Sequence, residues 1–407
     1  MRVNGNRGDQ KGTKINIIQT LRINGSVSRI ELTRLTNLSR ATISLAIAEL
    51  IDSGFVQETD SRHSTGGRPA TLLELTPHSH AIIGADYSDQ KLTLGAFDLL
   101  GNVIHHQVFT VSSNLPGEVI RTIAAQLEPF VRQLNVRPVK LLGIGLPGLI
   151  DTNRGSIMTV TAPNFPEWAD VNIADEIHKE IGWPVIALNR HRARGLAECR
   201  FGAGKDYNEL VYIGVGSGIA AGIFNNRKLM FGSLGGAGEI GHVTMEPQGP
   251  LCTCGNHGCL QEYSTGPSME RDIRVLLRSG RHSAINHDNQ NHLMNTHTER
   301  ILKSAEEGDP LCTEVVEKAA SYLGISMANL VNTINPEAII LGGEVPRNSN
   351  LYVAMAKQTM HQRAMGPLVA NVAVKVAAYN EVGGALGAAN FALDRNLDYS
   401  LFAHSMD

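Results

Sequence analysis

The sequence predicts an α/β protein in which a two-lobed body follows an N-terminal winged helix-turn-helix. Three observations carry this prediction. Three short helical patterns and a hairpin occupy the first 78 residues, apolar strands alternating with helices begin after Pro77, and a second strand-and-glycine series starts at Leu210. The 407 residues are enough for two or three cores, and 42% hydrophobic with 18% charged residues fits a globular chain. No apolar run approaches the roughly 18 residues that span a bilayer, so no membrane partner is expected. The start MRVNGNRGDQKGTK lacks the apolar centre of a secretory leader, which points to a cytoplasmic setting with reduced cysteines.

Ile15, Ile18 and Leu21 recur at helical spacing and Gly25 follows as a stop, predicting a first helix over about residues 13 to 24. Ser28 and Glu31 form a capping box for a short second helix, with Ile30 and Leu35 as its apolar contacts. Thr36-Asn37-Leu38 breaks it. Ser39 then caps a third helix whose buried stripe is Ile43, Ile47, Leu50 and Ile51, up to Gly54. That stripe leaves Arg40, Thr42, Ser44 and Leu45 on the other side of the N-terminal half, where a reading helix meets base edges. Phe55–Thr59 and Thr71–Leu75 predict the strands of a wing. Its loop holds Gly66-Gly67-Arg68-Pro69, either a plain surface loop or one that presents Arg68 to a narrow minor groove. Charge agrees with a polyanion at this end only: residues 1–70 carry +4 and the remainder −7, for a net −3.

In the body, Ala81–Asp86, Lys91–Phe97 and Leu141–Leu146 read as strands and Glu118–Leu134 as a helix. Leu210–Gly214 leads into the glycine-rich run Gly216–Gly222, and Ala338–Gly343 follows a long helix. Glycines after buried strands admit an anion to backbone amides, but they also serve ordinary tight turns. More specific is GHVTMEPQGPLCTCGNHGC. Its His242, Cys252, Cys254 and Cys259 form a Cys3His set that suits a closed, structural zinc site, the alternative being free reduced thiols. Cys199 and Cys312 are expected to be ordinary buried residues. The stretch His282–His297, rich in His and Asn, is expected to be a mobile loop without metal-ligand spacing.

In this order behind the head, GxGSGxxxG, GEIGH and CxCGxxGC resemble the ROK family of sugar kinases and sugar-responsive repressors. Gly145-Leu146-Pro147-Gly148, Asn335-Pro336-Glu337 and Leu341-Gly342-Gly343 extend the likeness over nearly the whole chain. The resemblance implies an actin-like (ribonuclease H-like) body with lobes at 79–198 and 199–384, a head at 1–78, and a C-terminal helix in 385–407 that returns to the first lobe. It implies a sugar cleft with zinc beside it, and effector contacts at Asn189, Glu239 and His242 with Gly155 nearby.

Departures from the family's kinases decide the expected activity. Their ENDANAAALAE-like stretch corresponds to Leu188–Glu198, which puts Arg190 in the place of the catalytic aspartate. A guanidinium has no acceptor for the proton of an attacking hydroxyl. The phosphate loop resembling DxGGTK is Asp86-Tyr87-Ser88-Asp89-Gln90-Lys91, the third glycine of LGGG is Glu344, and Gln261 replaces a sugar-binding glutamate. No ATP binding and no catalytic residue are therefore expected. The chain reads as a homo-oligomeric regulator, dimer or tetramer, most simply a repressor of carbohydrate genes that binds an operator in duplex DNA and a sugar or sugar-derivative effector. An active sugar kinase with a regulatory head is the alternative reading, and a scaffold that uses its body for protein contact is a third. Arg190, His191, Arg192 and Arg194 point either to an anionic effector or to helix charges that partly face solvent.

Overall fold

The computed structural model describes residues 7–60, 71–159, 165, 167–286 and 296–395. The head has helices Arg7–Asn24, Arg29–Thr36 and Arg40–Asp52, and a three-stranded antiparallel sheet in the order Val27–Ser28, Thr71–Leu75, Val56–Asp60. Both caps are made as the sequence indicates. The Ser28 hydroxyl accepts from the Glu31 amide while Glu31 accepts from the Ser28 amide, and the Ser39 hydroxyl accepts from the Thr42 amide. The first helix starts earlier than expected, at Arg7, and the short strand Val27–Ser28 is an addition. The second helix also turns a different face inward. Leu32 and Thr36, one turn apart, are buried, whereas Ile30 and Leu35 are 56% and 52% exposed. Arg68 lies outside the described residues.

The body has two five-stranded sheets. In the first, the order is Val185–Asn189, Arg137–Leu146, His80–Ser88, Lys91–Phe97, Val103–Thr110, with the first three strands parallel and the last two antiparallel. In the second it is Lys228–Leu229, Ile219–Asn225, Leu210–Val215, Ala338–Gly342, Ala373–Val376. Helices Arg190–Phe201 and Gly383–Arg395 pack against each other between the sheets, and backbone-level contact there explains several glycines. A Cβ on Gly387 would stand 1.7 Å from the Ala193 carbonyl oxygen, and one on Gly143 would stand 2.0 Å from that of Ala388. The long helix Pro310–Ile334 and its neighbour Asn350–Arg363 cover the second sheet with a separate apolar core.

The head is docked rather than tethered. One apolar cluster runs from Ile17, Leu21 and Leu50 through Ile82 and Leu99 to Leu386 and Leu393 of the last helix. At this joint Arg22 Nε donates to the Leu99 carbonyl at 3.0 Å and its guanidinium lies over the Phe201 ring. Phe55 stacks on His80 at 4.5 Å, and Arg200 pairs with Asp394. Burial, then the neighbouring charge of Arg200, lowers the pKa of Arg22 to about 10. The loop expected at His282–His297 begins with the short turn Ala284–Asn286, and residues 287–295 lie outside the described residues, as does the chain after Arg395. No helix among the described residues is long and apolar enough to cross a membrane.

Candidate functional site: a cleft between the lobes beside a Cys3His cluster

A cavity of about 440 Å³ opens between the two sheets. Strand Val185–Asn189 ends at its floor, and Asn189 caps the next helix: its Oδ1 accepts from the amides of His191 (2.9 Å) and Arg192 (3.3 Å). The other end of the Asn189 amide donates to the Gly148 carbonyl at 2.9 Å, which ties the Leu146-Pro147-Gly148 turn to the same floor. The opposite wall comes from Glu239, at the entry to the turn Ile240–His242, and from Gln261 and Arg271 on the two helices that follow the last cysteine.

Of the four basic residues of the Arg190 segment, Arg190, His191 and Arg192 are buried and Arg194 is half-buried against Asp86. The reason is placement: this helix is enclosed by the last helix and both sheets. Arg192 donates to the Gly235 carbonyl and pairs with Glu239 at 3.3 Å. Arg194 pairs with Asp86 at 2.6 Å; burial works against its charge, but Asp86 outweighs that and raises its pKa. His191 is held well below the ordinary imidazole pKa by burial and then by Arg190 and Arg194, and its Nδ1 has no hydrogen-bond partner. Arg190 donates to Ser88 Oγ at 2.5 Å and to Ser217 Oγ at 3.2 Å, and among the described residues no carboxylate lies within ion-pair distance of it. Burial pushes the Glu239 carboxyl up, an effect Arg192 opposes.

A second cavity, of about 670 Å³, is lined by Ser88, to which Arg190 donates. The stretch resembling a phosphate loop ends here in a turn with Asp89 and Gln90 at φ 45° and 62°, so the left-handed bend survives without glycine. Asp86, Asp89, Glu299, Glu344 and Glu381 line this cavity against three cations, and Asp86 Oδ1 is buried without a hydrogen-bond partner. Such a lining opposes a polyphosphate.

His242 Nδ1 stands 3.6 Å from Cys252 Sγ, Cys254 Sγ stands 3.6 Å from Cys259 Sγ, and the four ligand atoms lie within 4.8 Å of one another. A tetrahedral zinc with bonds of about 2.3 Å to sulfur and 2.0–2.1 Å to nitrogen requires edges of about 3.5–3.8 Å, so the donor set fits that ion. Gln261 Nε2 donates to Cys252 Sγ at 3.2 Å. Of the cluster, His242 lines the cleft and the three cysteines do not.

Asn189, Glu239, His242 and Gln261 thus line one cavity. Gly155 does not. It closes the turn Asp151–Gly155 at φ 70°, where a Cβ would meet that of Ala174 at 2.4 Å, so its role is to let the chain turn against the helix Ile173–Ile181. Sequence reasoning missed Glu262 and Arg271, paired at 3.2 Å across a helix break that periodicity does not reveal. On the head, Arg40, Ser44 and Leu45 are exposed, whereas Thr42 is half-buried with its hydroxyl on Ser39 Oγ at 2.8 Å.

Residues 82–395 match the model of the ROK family. The chain is 29% identical over 394 residues to a xylose repressor of Caldicellulosiruptor bescii, covering 96% of this chain and 97% of that protein. It is 28% identical to the DNA-binding transcriptional dual regulator NagC of Escherichia coli K12, covering 86% and 84%. Among solved structures, a ROK family transcriptional regulator homologous to the E. coli MLC protein superposes with a TM-score of 0.81 at 26% identity, over 94% of this chain and 96% of that one. A ROK family glucokinase from Streptomyces griseus, in complex with glucose and AMPPNP, gives 0.69 at 25% identity over 77% and 99%.

Proposed function

The chain belongs to the ROK family, and from that premise we propose that it is a sugar-responsive transcriptional repressor whose cleft binds its effector without phosphorylating it. Repressor relatives that match along nearly the whole chain, head included, support the regulatory half of this reading. The observation that carries the rest is Arg190. A sugar kinase needs a general base on the attacking hydroxyl, and a guanidinium wedged between the two cavities, bonded to Ser88 and Ser217, offers a permanent cation instead. The acidic lining across Arg190 adds a second obstacle by repelling the triphosphate.

In this reading the head, residues 1–78, grips a duplex operator through Arg40, Ser44 and Leu45, with Thr42 stiffening the helix start and Arg68 reaching from the wing. Asn189, Glu239, His242 and Gln261 meet the sugar between lobes at 79–198 and 199–384. His242, Cys252, Cys254 and Cys259 would hold a structural zinc, which fixes the imidazole tautomer. With Nδ1 on the side of Cys252, Nε2 would carry the proton and present a donor to a sugar oxygen. The last helix, Gly383–Arg395, and the joint at Arg22 join the cleft to the head, so a change in lobe closure shifts the spacing of paired heads in a homo-oligomer.

A coupled ADP-release assay with purified protein, ATP–Mg²⁺ and a panel of neutral sugars tests the non-catalytic half. Turnover at background is expected for every sugar. Sustained turnover above about 1 s⁻¹, within the ordinary range for kinases, contradicts it.

A further inference from the structure

The two cavities are separated by a partition that crosses from one sheet to the other. Ser88 closes the strand His80–Ser88 of the first sheet and Asp89 stands in the turn that follows, whereas Ser217 lies in the turn between Leu210–Val215 and Ile219–Asn225 of the second. Arg190 reaches both sides. From the start of the helix between the sheets, one of its terminal nitrogens donates to Ser88 Oγ at 2.5 Å and the other to Ser217 Oγ at 3.2 Å. Asp89 Oδ2 in turn accepts from Ser217 Oγ at 3.2 Å and from Ser88 Oγ at 3.5 Å. The four side chains close a ring, Arg190–Ser88–Asp89–Ser217, in which each hydroxyl accepts from the cation and donates to the anion.

Charge and position both favour the ring. Burial and then Arg194 work against the Arg190 cation, while Asp89 and Asp86 support it. Its bonds are charge-assisted, and on the buried Arg190 side water competes least for them. Arg190 and Ser217 line the first cavity and Ser88 and Asp89 the second, so the ring is the wall between them.

We propose that this ring is a latch, pinning the turn after His80–Ser88 to the Gly216–Gly218 turn and holding the two sheets at a fixed closure. The bridge across the cleft is then built from the chain's own side chains. Opening the sheets at this edge breaks the bonds of Ser217 to both the cation and the anion together. The latch goes beyond the repressor reading and does not depend on which ligand the cleft takes.

Hydrogen exchange of the full-length protein, read by mass spectrometry on peptides spanning Asp86–Lys91 and Gly214–Ile219, tests this without any ligand. Ser217→Ala deletes one hydroxyl, and Asp89→Asn removes the charge while keeping a residue that tolerates the left-handed backbone at φ 45°. Each variant is expected to speed exchange at least about threefold in the opposite turn, whose own sequence is unchanged. Because either substitution opens the same ring, the double variant is expected to exchange within about twofold of the faster single one. A smaller acceleration in the opposite turn of either variant, or a double variant beyond that limit, assigns the bonds to local turn stability and overturns the latch. The repressor reading is left standing by that result.

Discussion

At the level of single residues, local spacing and distant partnership have different legibility. The four zinc-ligand candidates span only residues 242 to 259, so their chemistry could be read directly, and the folded distances of 3.6 Å suit the ion. The partners of Arg192 and Arg194 are 47 and 108 residues away, and no periodicity announces them. Gly155 shows a related ambiguity: a glycine needed for a turn and one needed beside a ligand look alike in sequence. Cys259→Ser is expected to reduce bound zinc, measured by atomic absorption, from about one per chain to below about 0.2. Because structural zinc contributes directly to folding, the melting temperature should fall by several degrees, and the shift produced by a bound effector should vanish with it. Arg40→Ala should weaken operator binding and relax discrimination at one base pair by roughly 1–3 kcal/mol, since Arg40 is placed at base edges. Unchanged affinity and unchanged discrimination remove Arg40 from the interface.

Elements were legible where local signals agree. The caps at Ser28 and Ser39 and the strands read near Ala81, Lys91, Leu141, Leu210 and Ala338 lie within a few residues of their expected bounds, because capping and alternation are short-range, whereas the strands Val103–Thr110, Val185–Asn189 and Ala373–Val376 are absent from the sequence reading. Which face of the second helix is buried was not legible, since Ile30, Leu32 and Leu35 are all apolar and only tertiary packing chooses Leu32. The joint between head and body was also hidden: Arg22, Leu99, Phe201 and Asp394 come from four separate stretches. In the proposed reading, its place beside the last helix, Gly383–Arg395, lets lobe movement reach the head. Asp394→Ala removes the partner of Arg200 without touching cleft or reading helix. The expected result, by fluorescence anisotropy, is operator affinity within about threefold of wild type but an effector response reduced below twofold. A full response in this variant assigns the coupling to another contact.

For the molecule as a whole, the two-lobed architecture with a winged head was readable from motif order, while the ion pairs Arg192–Glu239 and Arg194–Asp86 between distant stretches were not. In the proposed reading, ligand and operator compete through one conformational equilibrium. If effector binding weakens the operator complex tenfold, about 1.4 kcal/mol of coupling, the operator must weaken effector binding by the same factor. The direct measurement is an anisotropy titration of this protein onto a promoter fragment recovered by genome-wide footprinting, with and without saturating effector, together with the reciprocal calorimetric titration. Equal shifts of at least tenfold in both directions are expected; an operator affinity that does not move when the cleft is filled contradicts the claim.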